Sequence, residues 1–174
     1  MDEEALLPRN ACGDDGRRWL GQTEQEAWRT VAMLMLALPS RLDGQLQQDS
    51  GLTVYEYIVL SFLSMSPDDT TRMSELAHVC SSSLSRLSNV VKRMESRQWL
   101  TRFPDPSDGR FTLARLLPEG RRVVEQAAPG HVATVRRLVI DPLTTRQVDV
   151  LAEIGRRLRP GLDLQPVTDE AARP

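Results

Sequence analysis

Hydrophobic residues recur every three or four positions along most of this chain, a spacing that predicts amphipathic helices. Three helix starts are marked by capping boxes, at residues 23–26, 53–56 and 144–147. In each, a threonine hydroxyl and a Glu or Gln three residues later satisfy backbone amides that the first turn leaves free. Pro39 is predicted to interrupt and kink the first helix, and Pro129 to break or bend a helix that starts at Pro118. The pattern therefore predicts a mainly helical protein.

The middle of the chain, residues 72–116, has a different organisation. A short helix is expected to end near Cys80, and a serine-rich turn leads into a longer helix. Alternating residues at 100–103 and 111–116, on either side of a turn rich in Pro, Asp, Ser and Gly, predict a β-hairpin. The residues expected to face the core are Met73, Leu76 and Ala77 in the short helix and Leu84, Leu87, Val91 and Met94 in the longer one. Two helices joined by a tight turn and followed by a basic hairpin are typical of a winged helix-turn-helix.

Charge is unevenly distributed along the chain. The formal net charge is −2, but residues 72–122 contain ten Lys/Arg and five Asp/Glu, whereas the remainder contains 12 basic and 19 acidic residues. A basic segment in an acidic chain is compatible with binding to nucleic acid, and a chance excess of solvated arginines is the alternative interpretation.

The exposed face of the longer helix carries the candidate base-contacting groups. Short hydroxyls near a helix N-terminus allow close approach to phosphates, and Arg and Asn have the geometry to pair with guanine and adenine edges. A hydrated helix surface without a partner is the alternative interpretation. The candidates for DNA contact in this helix are Ser82, Ser83, Ser85, Arg86, Asn89 and Arg93.

The hairpin adds two candidates, Asp108 and Arg110. An arginine at the tip of a β-wing can enter a narrow minor groove, where the negative potential is deepest. Asp108 cannot bind phosphate favourably, so we expect it to orient Arg86 or Arg110 through a charge-assisted hydrogen bond. The alternative interpretation is that Asp108 only stabilises the turn, as aspartate commonly does.

Other classes of protein fit less well. A length of 174 residues is typical of one domain, and the longest apolar run, at residues 31–39, is too short to cross a membrane. The acidic start has no features of a secretory signal, so a cytoplasmic location without membrane association is expected. No glycine-rich phosphate loop or nucleophile and base pair is evident, which argues against an enzyme and against a cofactor.

Three segments of this sequence resemble the MarR family of bacterial transcriptional regulators. They are LTVYEYIVLSFLS, RMSELAHVCSSSLSRLSNVVKRMESRQWLTR and DPSDGRFTLARL, and the helices downstream resemble that family's dimerisation helices. The resemblance implies a homodimer that binds double-stranded DNA, usually a repressor released by a small molecule or by oxidation. It places the DNA contacts on the helix and wing residues already named. Gln98 and Trp99 stand where the family has a glycine, and Leu117 stands where it has a capping threonine.

The hydrophobic pattern and the resemblance together predict the domain organisation. We expect a disordered arm over residues 1–20, dimerisation helices over 21–50 and 118–160, a winged helix-turn-helix lobe over 51–117, and a disordered tail over 161–174. Two half-sites about 10 base pairs apart, forming a pseudo-palindromic operator, would suit such a dimer.

The sequence allows several hypotheses for the signal that such a regulator would detect. An aromatic or amphipathic anionic effector is one hypothesis, with a pocket between the dimerisation helices and the DNA-binding lobe. Oxidation of Cys12 or Cys80 is a second possible trigger, and a metal site built from His78, His131 and a cysteine is a third. A winged-helix adaptor that binds an acidic protein is the alternative to DNA binding. The candidate pocket residues are Trp28, Tyr55, Tyr57, Phe62 and Arg72, with Met33 beside them.

Overall fold

A computed structural model describes residues 19–162 as helices with one small antiparallel sheet, the expected mainly helical winged-helix architecture. The chain divides into two compact units, one ending at Arg41 and the other beginning at Leu42. Residues 1–18 and 163–174, which include Cys12 and most of the predicted arm and tail, lie outside the described residues. The helices are α1 (Gln22–Ser50), α2 (Val54–Met65), α3 (Met73–Val79), α4 (Leu84–Ser96), α5 (Pro118–Val135) and α6 (Thr145–Leu158), and the strands are β1 (Thr70–Arg72), β2 (Leu100–Pro104) and β3 (Thr112–Leu116).

Two of the three predicted capping boxes are confirmed. At α2 the Thr53 hydroxyl accepts from the Glu56 amide while the Glu56 carboxylate accepts from the Thr53 amide, and Thr144 with Gln147 repeats the arrangement at α6. The first box was wrong, because α1 starts at Gln22 and the Gly21 amide donates to the Glu24 carboxylate at 2.8 Å. Glu24 therefore serves a start two residues earlier than the threonine suggested.

The predicted breaks at Pro39 and Pro129 do not end their helices. Helix α1 runs through Pro39 and stops at Gly51, where φ is +66°, and α5 runs through Pro129 to Val135. A proline removes one backbone hydrogen bond, and the turns on both sides keep theirs. In α5 the flanking residues Ala127 and Thr134 are also buried, so packing holds the helix on either side of the proline.

The core of the second unit confirms the predicted face of α4, apart from its first residue. Leu87, Val91 and Met94 are fully buried. Leu84 was wrongly placed in the core, because its side chain is 53% exposed. Helix α4 begins beyond the edge of the core, and Leu84 instead lines a cleft of about 190 Å³ that includes Phe111.

The hairpin is confirmed and is joined by a strand that the sequence did not predict. Strand β3 lies between β1 and β2, with Leu100 opposite Leu116 at one end of the hairpin and Thr71 opposite Ala114 in the other pair. Strand β1 has only three residues, too few for an alternating pattern to be recognised. Its pairing with β3 brings Arg72 beside the hairpin.

Helix α4 ends in a sharp left-handed turn at Gln98, although this residue is not glycine. Gln98 adopts φ +57°, its amide donates to the Glu95 carbonyl, and the Trp99 amide donates to the Met94 carbonyl. These are the two hydrogen bonds of a Schellman motif, which usually ends in glycine. Burial of Trp99 beside the core supports the motif despite the strain at Gln98. At the start of α5, the N-cap residue Leu117 makes no side-chain cap hydrogen bond, and Pro118 lies in the first turn.

Candidate nucleic-acid interface

The turn before α4 presents its serines at the helix N-terminus. Ser81 has φ +46°, and the Ser83 hydroxyl caps the helix by accepting from the Arg86 amide at 3.2 Å. Ser83 thus has a structural bond as well as an exposed position. Of the other residues predicted to contact DNA here, Ser82 is half-buried. The exposed ones are Ser85, Arg86, Asn89 and Arg93.

The Arg86 guanidinium lies over an aromatic ring of helix α2. Its guanidinium carbon lies 5.7 Å from the centroid of the Tyr55 ring, within the range of a cation–π contact. The Tyr55 hydroxyl is buried near Cys80 and Ser82, and no hydrogen bond of good geometry joins it to another described residue. Burial raises the pKa of this phenol, so it stays neutral. Tyr55 therefore contacts both the turn between α3 and α4 and the arginine in the first turn of α4.

The wing tip consists of two successive turns built on aspartates. Asp105 accepts from the Ser107 amide and hydroxyl at 2.9 and 2.6 Å, and Asp108 accepts from the Arg110 amide at 3.1 Å. The Asp105 amide donates to the Phe111 carbonyl at 2.9 Å and closes the loop. The Ser107 hydrogen bonds are the main reason that the pKa of Asp105 is lowered to about 2.

Asp108 orients Arg110 and not Arg86. The Arg110 side chain donates from Nε and Nη2 to the Asp108 carboxylate, with Nη2 at 2.6 Å from Oδ2. This hydrogen bonding lowers the pKa of Asp108 and raises that of Arg110. The Arg110 side chain is 84% exposed, so the pair presents a guanidinium held on one side by a carboxylate and open on the other.

A network of partly buried hydrogen bonds joins α4 to the wing. Arg102 of β2 donates to the Glu95 carboxylate from Nε and Nη2 at 3.0 and 2.6 Å, and from Nη1 to the Ser88 hydroxyl at 3.0 Å. The Arg102 amide also donates to Glu95 at 2.9 Å. Two side chains of α4 are thereby tied to one residue of β2, which sets the angle between helix and hairpin.

Ion pairing divides the basic residues of this segment into two groups. Arg72, Arg102, Arg110 and Arg122 each pair with a carboxylate from the same segment, and Arg121 pairs with Asp69. The basic side chains that form no ion pair with another described residue are Arg86, Lys92, Arg93, Arg97 and Arg115. Four of these five lie on α4 or at its C-terminal end, so the uncompensated positive charge is concentrated there.

The five residues predicted to line an effector pocket have separate surroundings. Tyr57 packs on His131 of α5 with ring centroids 4.3 Å apart, and Phe62 packs against the core. Tyr55 contacts α4, and Arg72 pairs with Asp105 of the wing at 3.0 Å. Trp28, in the first unit, is 56% exposed. The pocket remains a prediction.

Burial of Cys80 and His131 affects the two other proposed signals, oxidation and metal binding. Cys80 packs against the core, and desolvation raises the pKa of its thiol, which disfavours the reactive thiolate. Desolvation lowers the pKa of His131, whose Nδ1 is buried without a hydrogen-bond partner in the described part of the chain. Within residues 19–162, no three His, Cys, Asp or Glu side chains are grouped so that they could hold a metal ion. The helices of that range are all too short or too polar to cross a membrane.

Asp105 was not identified from the sequence as a site residue, nor was its ion pair with Arg72. The run Asp-Pro-Ser at residues 105–107 is a strong signal for an aspartate that accepts hydrogen bonds from its own turn, so Asp105 was detectable. The pairing of Arg72 with Asp105 could not be detected in this way, because 33 residues separate them. The stacking of Arg86 on Tyr55 was hidden for the same reason.

Comparison with known proteins agrees with this architecture. A family model described as MarR family matches residues 50–110. The multiple antibiotic resistance protein MarR of Salmonella typhimurium is 33% identical over 76 residues, which cover 41% of this chain and 53% of that protein. The chain thus spans about half the length of the curated relatives it matches.

Two solved structures from Streptomyces coelicolor match over most of their length. Sco3205, a MarR family transcriptional regulator crystallised in complex with DNA, is 42% identical, with a TM-score of 0.79 over 87% of this chain and 97% of that one. AbsC, also a MarR family transcriptional regulator, is 39% identical, with a TM-score of 0.76 over 84% of this chain and 97% of that one. The chain therefore belongs to the MarR family of transcriptional regulators, a family of DNA-binding proteins rather than enzymes.

Proposed function

We propose that this protein is a homodimeric regulator that binds a pseudo-palindromic operator, with α4 in the major groove and the wing in the minor groove. The observation that carries the proposal is the distribution of uncompensated charge: the cations without an ion-pair partner among the described residues are concentrated on α4. The complex of the related Sco3205 with DNA supports it. In this arrangement Arg86 and Asn89 contact base edges, Ser82, Ser83 and Ser85 lie at the phosphates, and Arg110 enters the minor groove.

Dimerisation completes the proposed DNA-binding unit. Two recognition helices related by a two-fold axis meet successive major grooves about 34 Å apart, which gives half-sites roughly 10 base pairs apart. The exposed apolar residues of α6, among them Leu151, Ile154 and Leu158, are each close to half exposed in the single chain. A large apolar surface of this kind is suited to burial against a second copy.

The test compares the promoter of the gene itself with random DNA of equal length by fluorescence anisotropy over a range of salt concentrations. Arg86→Ala is expected to relax preference at one base pair and to weaken operator binding by about 1–3 kcal/mol, whereas Arg97→Ala should weaken both DNAs alike. Arg122→Ala, which removes a cation paired with Glu119 on α5, is the control and should change little.

Equal losses on promoter and random DNA for Arg86→Ala would refute its role in base recognition. If the wild-type protein has no preference for the promoter and only a shallow salt dependence, the alternative of an adaptor that binds an acidic protein is favoured instead.

The proposed regulator acts as a repressor that an aromatic or amphipathic anionic molecule releases. Its candidate pocket residues remain Trp28, Tyr55, Tyr57, Phe62 and Arg72. Titrating phenolic acids against the operator complex tests this, and no release at millimolar concentrations would count against it. Sensing by oxidation of Cys80 is disfavoured by its burial, and retained operator affinity after peroxide treatment would exclude it.

A further inference from the structure

Arg72 lies outside the wing in sequence and yet is bonded to it. It is the last residue of β1, immediately before α3, and its Nε and Nη2 atoms donate to Oδ2 of Asp105 at 3.2 and 3.0 Å. The Asp105 side chain is 8% exposed, whereas that of Arg72 is 44% exposed. A largely buried carboxylate is stable only when its oxygens are hydrogen-bonded or paired, and Arg72 provides a cation at Oδ2 while Ser107 donates hydrogen bonds to Oδ1.

The second oxygen of the same carboxylate organises the wing tip. Oδ1 of Asp105 accepts both the amide and the hydroxyl of Ser107, while the Asp105 backbone bonds to Phe111 and Asp108. One carboxylate therefore joins the first turn of the tip to β1. Among the described residues, Arg72 is the partner outside the hairpin with which the side chains of the tip form hydrogen bonds.

Arg72 also reaches the tip through an aromatic ring. Its guanidinium carbon lies 4.3 Å from the centroid of Phe111, and that of Arg110 lies 6.0 Å from the same centroid. The ring is shared by an arginine that is fixed on β1 and by the arginine proposed to enter the minor groove. We name Arg72, Asp105, Ser107 and Phe111 the wing anchor.

We infer that Arg72 is a positioning residue, which through the wing anchor holds the tip in the orientation that lets Arg110 enter the minor groove. This inference rests on the proposed function for its effect on DNA. It assigns Arg72 to the wing, in addition to the effector pocket for which it was first a candidate. A guanidinium is required, because lysine cannot supply two donors in a fixed plane and stack on Phe111 at the same time.

The first measurement needs no DNA. Arg72→Ala and the milder Arg72→Lys are compared with the full-length wild-type protein by amide hydrogen exchange, after thermal unfolding has shown that each variant is folded. The amides of Ser107, Asp108 and Phe111 are expected to exchange at least about tenfold faster in both variants, while the amides of α2 and α4 are unchanged. Unchanged exchange at the tip would overturn the inference.

The second measurement is a double-substitution cycle on promoter DNA. Arg72→Ala is expected to weaken binding about 5- to 30-fold, part of the loss produced by Arg110→Ala. Because both act through the tip, the losses of Arg72→Ala and Arg110→Ala should be clearly less than additive, whereas those of Arg72→Ala and Arg86→Ala should add. Arg122→Ala is the matched control, since it also removes a paired and partly exposed arginine, and it should leave exchange at the tip unchanged.

The two measurements separate the possible failures. If the wild-type protein does not distinguish its promoter from random DNA, the proposed function fails, and the exchange result still decides whether Arg72 holds the tip. If promoter binding is specific and the losses of Arg72→Ala and Arg110→Ala are fully additive, the positioning role of Arg72 is refuted.

Discussion

Single residues at the helix ends adopt conformations that their side chains disfavour. Gln98 ends α4 with φ +57°, and Ser81 ends the α3 turn with φ +46°. Left-handed backbone costs a residue with a Cβ roughly 1–2 kcal/mol, yet both positions complete helix-terminating hydrogen bonds. Burial of Trp99 immediately after Gln98 offsets the strain.

We expect Gln98→Gly to stabilise the protein by about 0.5–1 kcal/mol. Glycine removes the strain of positive φ, and the extra freedom it gives the unfolded chain cancels part of the gain. Urea denaturation measures the change. Gln126→Gly, in the interior of α5, is the control and should destabilise by about 1 kcal/mol. A loss of stability at both positions would contradict the account of Gln98.

Tyr55 gives a second prediction for a single residue. Its ring supports Arg86, while its hydroxyl is buried without a well-formed hydrogen bond to a described residue. Tyr55→Phe should therefore retain base discrimination and stability. Tyr55→Leu removes the cation–π contact, and we expect it to reduce discrimination at the Arg86 base by about 0.5–1 kcal/mol. Competition assays with operators changed at single base pairs test this, and equal discrimination by the two variants would exclude the supporting role.

Among the elements, α4 shows how one helix serves both the core and the surface. Its periodic apolar face was predictable, and three of the four expected core residues are fully buried. The first, Leu84, extends beyond the core edge into the cleft beside the wing. The orientation of the wing relative to α4 depends instead on Arg102, which bonds to both Ser88 and Glu95.

Two leucines of α4 should therefore respond differently to truncation. Leu87→Ala is expected to destabilise the protein by about 2–5 kcal/mol, because it leaves a cavity at a fully buried site. Leu84→Ala should cost no more than about 0.5 kcal/mol, as is usual for surface positions. Thermal or urea unfolding of the two variants provides the comparison, and equal losses would show that Leu84 is buried in solution.

For the whole molecule, the described chain leaves apolar side chains of α1 and of α6 exposed. In α1 these include Leu36, which is 80% exposed, and in α6 they include Ile154, which is 47% exposed. We propose that each of these surfaces is buried against a second copy of the chain.

Ile154→Glu is expected to shift the protein toward the monomer by at least about tenfold in dimer dissociation constant, because a charge would be buried without a partner. Sedimentation equilibrium measures the shift. Arg156→Glu changes charge elsewhere on α6 and should leave the dimer intact. A protein that is monomeric before substitution would refute the proposed dimer.

The sequence by itself determined the features that depend on neighbouring residues. The capping boxes at Thr53 and Thr144, the helical faces, and the hairpin with its turn all join residues a few positions apart, so their hydrogen bonds form wherever the chain is folded. The family resemblance and the placement of the candidate base contacts on α4 came from the same local patterns.

Only the tertiary structure decided the partners of Arg72 and Arg86. Arg72 pairs with Asp105 and Arg86 lies over Tyr55, and the members of each pair are far apart in sequence. An arginine on a helix or strand has several carboxylates and rings within reach of its flexible stem, and burial of the partner selects among them. The sequence therefore predicts where the positive charge lies, and the packing of β1 against the hairpin brings Arg72 to Asp105.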